Sequence, residues 1–80
     1  MHTEVHSKDG CPWCEKAKAW LSERGHTYTE VRHDDPDERA SFYNSLNLEG
    51  TERTMPQVFI VEDGESIRVG GYDKLEASGL

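Results

Sequence analysis

The stretch TEVHSKDGCPWCEKAKAWLSERGHTYTEVRH, residues 3–33, places two β-tolerant runs on either side of a helical one. TEVHSK (residues 3–8) is short and ends at the turn-forming Gly10. From Pro12 to Arg24, Trp13, Ala17, Trp20 and Leu21 recur at spacings of three and four, which predicts one apolar helical stripe. Pro12 suits the first helical position, and Gly25 suits the residue just past the end. TYTEVRH (residues 27–33) alternates Tyr28, Glu30 and Arg32 against Thr27, Thr29, Val31 and His33, the period of a strand. A strand, a helix and a strand so connected cross over right-handedly, making the two strands parallel.

Beyond this unit, DDPDERASFYNSLNLEG (residues 34–50) predicts a helix from Pro36 to Leu48, with Asp35 as N-cap, acids in the first turn and Gly50 closing it. PQVFIVEDGESIRVGG (residues 56–71) predicts an antiparallel pair: Val58–Val61 form one strand, Asp63-Gly64 the turn, and Ile67 and Val69 alternate in the other. YDKLEASGL (residues 72–80) predicts a short final helix, with Asp73 as its candidate N-cap and Gly79 as its stop. The order is βαβ-α-ββ-α, an α/β arrangement with a four-stranded mixed sheet covered by helices. Trp20, Leu21, Phe42, Leu46, Phe59 and Ile60 are the expected core. With no repeat, low-complexity tract or linker, residues 1–80 read as a single domain.

Bulk properties exclude several classes. Hydrophobic residues make up 34% and charged ones 31% of the 80, and the mean hydropathy is -0.86, so the core is thin. A chain this short buries roughly 60 to 65% of its unfolded surface. A net charge of -7 argues against a phosphate-tracking surface, which needs clustered Lys and Arg, and nucleic acid is set aside. No apolar run reaches membrane-spanning length, and MHTEVHSK lacks the apolar core of a leader. The expected setting is the cytoplasm, where cysteines are kept as thiols.

Cys11 and Cys14 are the only cysteines. As a structural staple they would close a very short loop, stabilising by roughly 2 kcal/mol before strain. As zinc ligands they lack a second C-x-x-C, and His2, His6, His26 and His33 lack the partner spacing; these histidines read as plain surface residues. Thiol chemistry needs one thiolate at neutral pH and a second thiol in reach to resolve the mixed disulfide it forms. Cys11, at the head of the first helix with Lys8 three residues before it, meets unpaired N–H groups and the positive end of the dipole. Cysteines so placed have pKa values of roughly 3.5 to 7.5. Cys11 is therefore the expected nucleophile, and Cys14, one turn further in and more buried, the resolver. A C-x-x-C inside a βαβ pattern points to a thioredoxin-like redox domain.

SKDGCPWCEKAK, RTMPQVFI and VGGYDKL occur in the order and at the approximate spacing of the glutaredoxin family, which the whole chain resembles. The resemblance implies a thioredoxin-like fold and a glutathione-disulfide oxidoreductase acting on glutathionylated proteins and protein disulfides, with glutathione as reductant and no metal. By similarity, Pro56 is a cis-proline facing the cysteines, and the backbone of Met55 pairs with glutathione as an added strand. Gly70, Gly71, the backbone of Tyr72 and the side chain of Asp73 would hold the γ-glutamyl end. Lys8 would meet the glycyl carboxylate, with Arg53 as a further cation, and Trp13 would form an aromatic wall. Alone, Lys8 and Arg53 would read as solvated charges, and Gly70-Gly71 as the end of a strand.

This chain departs from many family members, which carry Tyr at position 13, Val at 55 and Cys at 72 and end in a longer helix. Those departures bear on substrate preference, not on the thiols. Pro12 is by family analogy unfavourable to a shared iron-sulfur cluster, and a monomer is expected. Two alternatives stand beside the main reading. One is an electron donor to ribonucleotide reductase recharged by thioredoxin reductase, against which GGYD argues; the other is a module binding metal or an iron-sulfur cluster. The expected redox poise is about -200 to -230 mV.

Overall fold

The computed structural model describes residues 2–80. Its elements are β1 (His2–Ser7), α1 (Pro12–Glu23), β2 (Tyr28–Arg32), α2 (Pro36–Ser45), a 3-10 turn (Gly50–Glu52), β3 (Gln57–Glu62), β4 (Glu65–Gly70) and α3 (Tyr72–Ala77). The strands form one mixed sheet in the order β2-β1-β3-β4. β1 and β2 are parallel, with Thr3 opposite Tyr28 and Ser7 opposite Arg32. β3 runs antiparallel to β1, with Val5 opposite Val58, and β4 antiparallel to β3, with Ile60 opposite Ile67. The expected α/β architecture, crossover and hairpin are all present.

Alternation along β1 sorts the two faces of the sheet. Val5 and Val58 pack with Ala17, Trp20, Leu21 and Leu75, so α1 and α3 cover one face and form the main core. His6, next to Val5, points the other way and stacks on Phe42 of α2. This second layer is thinner: α2 buries only Tyr43 fully, and Phe42 and Leu46 are half-buried rather than core. Ile60 is also half-buried, whereas Phe59 is buried as expected.

Three local expectations are corrected. α2 ends at Ser45, not Leu48, because Asn47 takes a left-handed conformation (φ 58) and turns the chain, letting the Leu48 N–H donate back to the Tyr43 carbonyl at 3.1 Å. Leu48 is then buried against the cysteines, and Gly50 opens a 3-10 turn instead of closing a helix. α3 begins at Tyr72 with Gly71 at its cap and no side-chain capping bond, so Asp73 lies within the first turn instead of capping it. His6 and His33 are not surface residues; both are buried, because each finds polar partners and ring contacts inside the α2 layer.

Candidate active site

Gly10, at φ 64, turns the chain out of β1 and into α1. Cys11 follows as the N-cap, extended at φ -111 and ψ 98. Its carbonyl accepts from the N–H groups of Cys14 (3.1 Å) and Glu15 (3.3 Å), and its sulfur accepts from the Cys14 N–H at 3.2 Å. The sulfur thus occupies the place that a Ser or Asp oxygen takes at an ordinary cap, in reach of the helix's unpaired donors. Those donors and the helix dipole favour negative charge on it once the thiol is free.

The two sulfurs are joined as a disulfide, the oxidised form of the pair, with Cα atoms 5.3 Å apart. Cys14 is 1% exposed and Cys11 9%, so an incoming sulfur meets Cys11 first. Leu48, Tyr43 and Met55 pack around the pair, with Phe42 and Leu46 against that cluster.

The opposite wall comes from the segment before β3. The Met55-Pro56 bond is cis, and the Met55 carbonyl oxygen lies 3.5 Å from the Cys11 sulfur. A groove of about 280 Å³ runs alongside, lined by Thr54, Met55 and Pro56 together with Trp13, Gly71, Tyr72 and Asp73. Trp13 is 53% exposed; its ring centroid is 5.6 Å from that of Tyr72, and the Lys16 ammonium lies 4.2 Å from it. Burial, followed by the Glu76 charge, raises the Tyr72 phenol above its ordinary value. A Cβ on Gly71 would come within 3.4 Å of the Asp73 carboxylate and 3.7 Å of the Pro56 carbonyl, so glycine keeps that end of the groove open. A second hollow, of about 290 Å³, continues past Gly70 between Thr51, Gln57, Arg68 and Lys74.

Of the residues singled out from sequence, Trp13, Met55, Pro56, Gly71, Tyr72 and Asp73 line the groove, Cys11 lies against Met55, and Gly70 lines the adjoining hollow. Lys8 is half-buried in the loop before Cys11 and forms no ion pair among the described residues. Arg53 is engaged elsewhere. Its guanidinium donates to the Leu48 carbonyl at 2.9 Å and to the Asn44 side-chain oxygen, and it lies 5.8 Å from the Tyr43 ring. Arg53 thereby ties the groove segment to the end of α2.

Gln57 went unnoticed in the sequence. Its amide donates to the carbonyls of Glu52 (3.3 Å) and Thr54 (2.9 Å), bracing the same segment from the other side. A lone polar residue opening the apolar run QVFIV is the one signal that pointed to it.

The glutaredoxin family model matches residues 3–67. Glutaredoxin 1 of Rickettsia felis is 35% identical over 78 residues, covering 94% of this chain and 70% of its own length. Among solved structures, Glutaredoxin 1 from Francisella tularensis, crystallised with cacodylate, superposes with a TM-score of 0.79 at 32% identity, covering 96% of this chain and 90% of its own. The buckwheat glutaredoxin-glutathione complex superposes with a TM-score of 0.72 at 25% identity, covering 95% and 66% respectively. A disulfide-forming C-x-x-C at a helix head, a cis-proline opposite it and a family match over most of its length agree: this chain belongs to the glutaredoxin family of thiol-disulfide oxidoreductases, within the thioredoxin-like superfamily.

Proposed function

We propose that this protein reduces glutathione mixed disulfides and protein disulfides, with glutathione as the reductant. The observation that carries this reading is the groove lined by Met55, Pro56 and Asp73, whose Met55 carbonyl oxygen lies 3.5 Å from the Cys11 sulfur. Glutathione is a small peptide with two carboxylates and one ammonium; it needs backbone partners along its length and an anion for its amino group. The backbone beside a cis-proline can pair with an extended peptide as an added strand, and Asp73 supplies the anion. The relative determined with glutathione is a further support.

In the reaction so read, the Cys11 thiolate attacks the glutathione sulfur of a mixed disulfide. A new sulfur-sulfur bond forms, the old one breaks, and the partner thiol leaves as its thiolate and takes up a proton. A second glutathione thiolate then attacks the glutathione sulfur bound to Cys11, releasing oxidised glutathione and the Cys11 thiolate. Alternatively, the Cys14 thiolate attacks the Cys11 sulfur, expels glutathione and leaves the Cys11–Cys14 disulfide, which two glutathiones reopen. Trp13 and Tyr72 offer apolar surface to whatever side chain flanks the disulfide.

The deciding experiment is reduction of a small glutathione mixed disulfide coupled, through glutathione reductase, to NADPH oxidation. Turnover that depends on glutathione supports the reading. Turnover sustained by thioredoxin reductase and NADPH without glutathione rejects it in favour of the ribonucleotide-reductase-donor alternative.

A further inference from the structure

On the face of the sheet away from α1, four polar side chains form an unbroken line. Glu4 Oε1 is 2.7 Å from His6 Nε2, His6 Nδ1 is 2.7 Å from His33 Nε2, and His33 Nδ1 is 2.7 Å from Glu38 Oε1. The line joins β1, the residue after β2 and the first turn of α2. Both rings are buried, at 9% and 5% exposure. Phe42 stacks on both, with centroids 4.6 Å from His6 and 4.2 Å from His33, and Phe59 of β3 meets His6 edge-on at 5.1 Å.

Counting protons constrains this line. Ionised carboxylates only accept, so the outer nitrogen of each ring must carry a hydrogen, and one of the two inner nitrogens must donate to the other. Three contacts therefore require three hydrogens on four ring nitrogens, whereas two neutral imidazoles bring only two. With two, either the inner contact becomes lone pair against lone pair, or one outer nitrogen faces its carboxylate without a hydrogen. With four, the inner contact sets N–H against N–H.

We propose that His6 and His33 hold one shared extra proton between the Glu4 and Glu38 carboxylates, and that this singly charged pair is a pH-sensitive latch holding α2 on the sheet. The charges around it fit a single positive charge. β1 contributes Glu4 and α2 contributes Glu38, while Arg39 of α2 spends its guanidinium on the His33 carbonyl at 2.9 Å; β3 contributes the uncharged Phe59 and Gln57. Burial is the largest influence on His6 and lowers its pKa, with His33 pushing the same way and the two carboxylates opposing.

The latch matters because α2 has little else. It buries only Tyr43 fully, and beyond Arg39 on the His33 carbonyl and Arg53 on Asn44 its contacts run through Phe42 on these two rings and through Glu38. The His33 N–H also donates to the Ser7 carbonyl at 2.8 Å, at the start of the loop that delivers Cys11. Loss of the shared proton as pH rises, or gain of a second as pH falls, removes one contact from the line and loosens α2.

The test is nitrogen NMR of the histidine rings in the whole protein, between about pH 4 and pH 10. The pair is expected to release its protons in two separate steps, with a singly protonated plateau between them. Glu38→Gln, which removes a carboxylate that favours the charged pair, should lower the upper step. Amide-exchange protection in α2, relative to α1, should fall about tenfold above the wild-type upper step. Two rings titrating together in one step near 6.5, two neutral rings at pH 7, or an upper step unmoved by Glu38→Gln would each overturn the proposal. Because these readouts do not involve turnover, they stand apart from the test of glutathione dependence.

Discussion

The Cys11 sulfur lies 3.5 Å from the carbonyl oxygen of Met55, a residue 44 positions later in the chain, and that approach turns a helix head into one wall of a groove. The helix supplies the electrostatics and the cis-proline segment supplies the surface along which a peptide can lie. The functional consequences divide between these two halves.

On the helix half, the two cysteines are not equivalent. Cys11 caps α1 and is the more exposed, whereas Cys14 is buried in the first turn. Cys11→Ser should abolish turnover, and Cys14→Ser should retain reduction of glutathione mixed disulfides while losing the intramolecular disulfide. Alkylation of the reduced protein, followed by mass spectrometry, should find Cys11 modified first at neutral pH. Activity surviving Cys11→Ser would reverse the assignment.

On the groove half, Asp73 supplies a carboxylate to the lining. Asp73→Asn keeps its shape and removes its charge. A charge-assisted hydrogen bond contributes about 1.5 to 3 kcal/mol, so KM for a glutathione mixed disulfide should rise about 10- to 100-fold with little change in kcat. Steady-state kinetics separate the two; an unchanged KM removes Asp73 from the binding reading.

The two glycines should respond differently. Gly70 sits at φ 120, and a Cβ there would meet Lys74 Cγ at 3.0 Å. Gly70→Ala should therefore destabilise the fold by about 1 to 3 kcal/mol, read as a lower urea midpoint. Gly71 has φ -80, and its Cβ would find only ordinary contacts. Gly71→Ala should fold normally and, by setting a methyl group beside the Asp73 carboxylate in the groove, show its effect in KM instead.

Across the first face, Glu30 accepts from the Ser7 hydroxyl at 2.6 Å and from Lys18 at 3.0 Å. The Ser7 bond is the largest influence holding the Glu30 carboxyl below its ordinary value, with Lys18 adding to it. A depressed carboxylate pKa contributes stability that is present above the unfolded value and lost as pH falls through the folded one. Glu30→Gln should cost about 1 to 2 kcal/mol at neutral pH, and the gap from wild type should close below about pH 4. Urea titrations at several pH values would show it; a gap independent of pH would assign the cost to shape instead of charge.

The sequence by itself determined what depends on neighbours along the chain. The apolar stripe of Ala17, Trp20 and Leu21 and the Pro12 start make α1, with Trp13 left to the groove instead of the core, the Asp63-Gly64 turn makes the hairpin, and the spacing of Cys11 and Cys14 puts both sulfurs on one helical turn. Short-range sterics and hydrogen bonding suffice for each of these. Only the tertiary structure decided what lies across the sheet. The order β2-β1-β3-β4 brings Met55 to Cys11, draws Arg53 to the end of α2 rather than into the groove, and sets His6 against His33. These contacts depend on strand register and on which face each side chain meets, and residues so far apart in the chain carry no local trace of them.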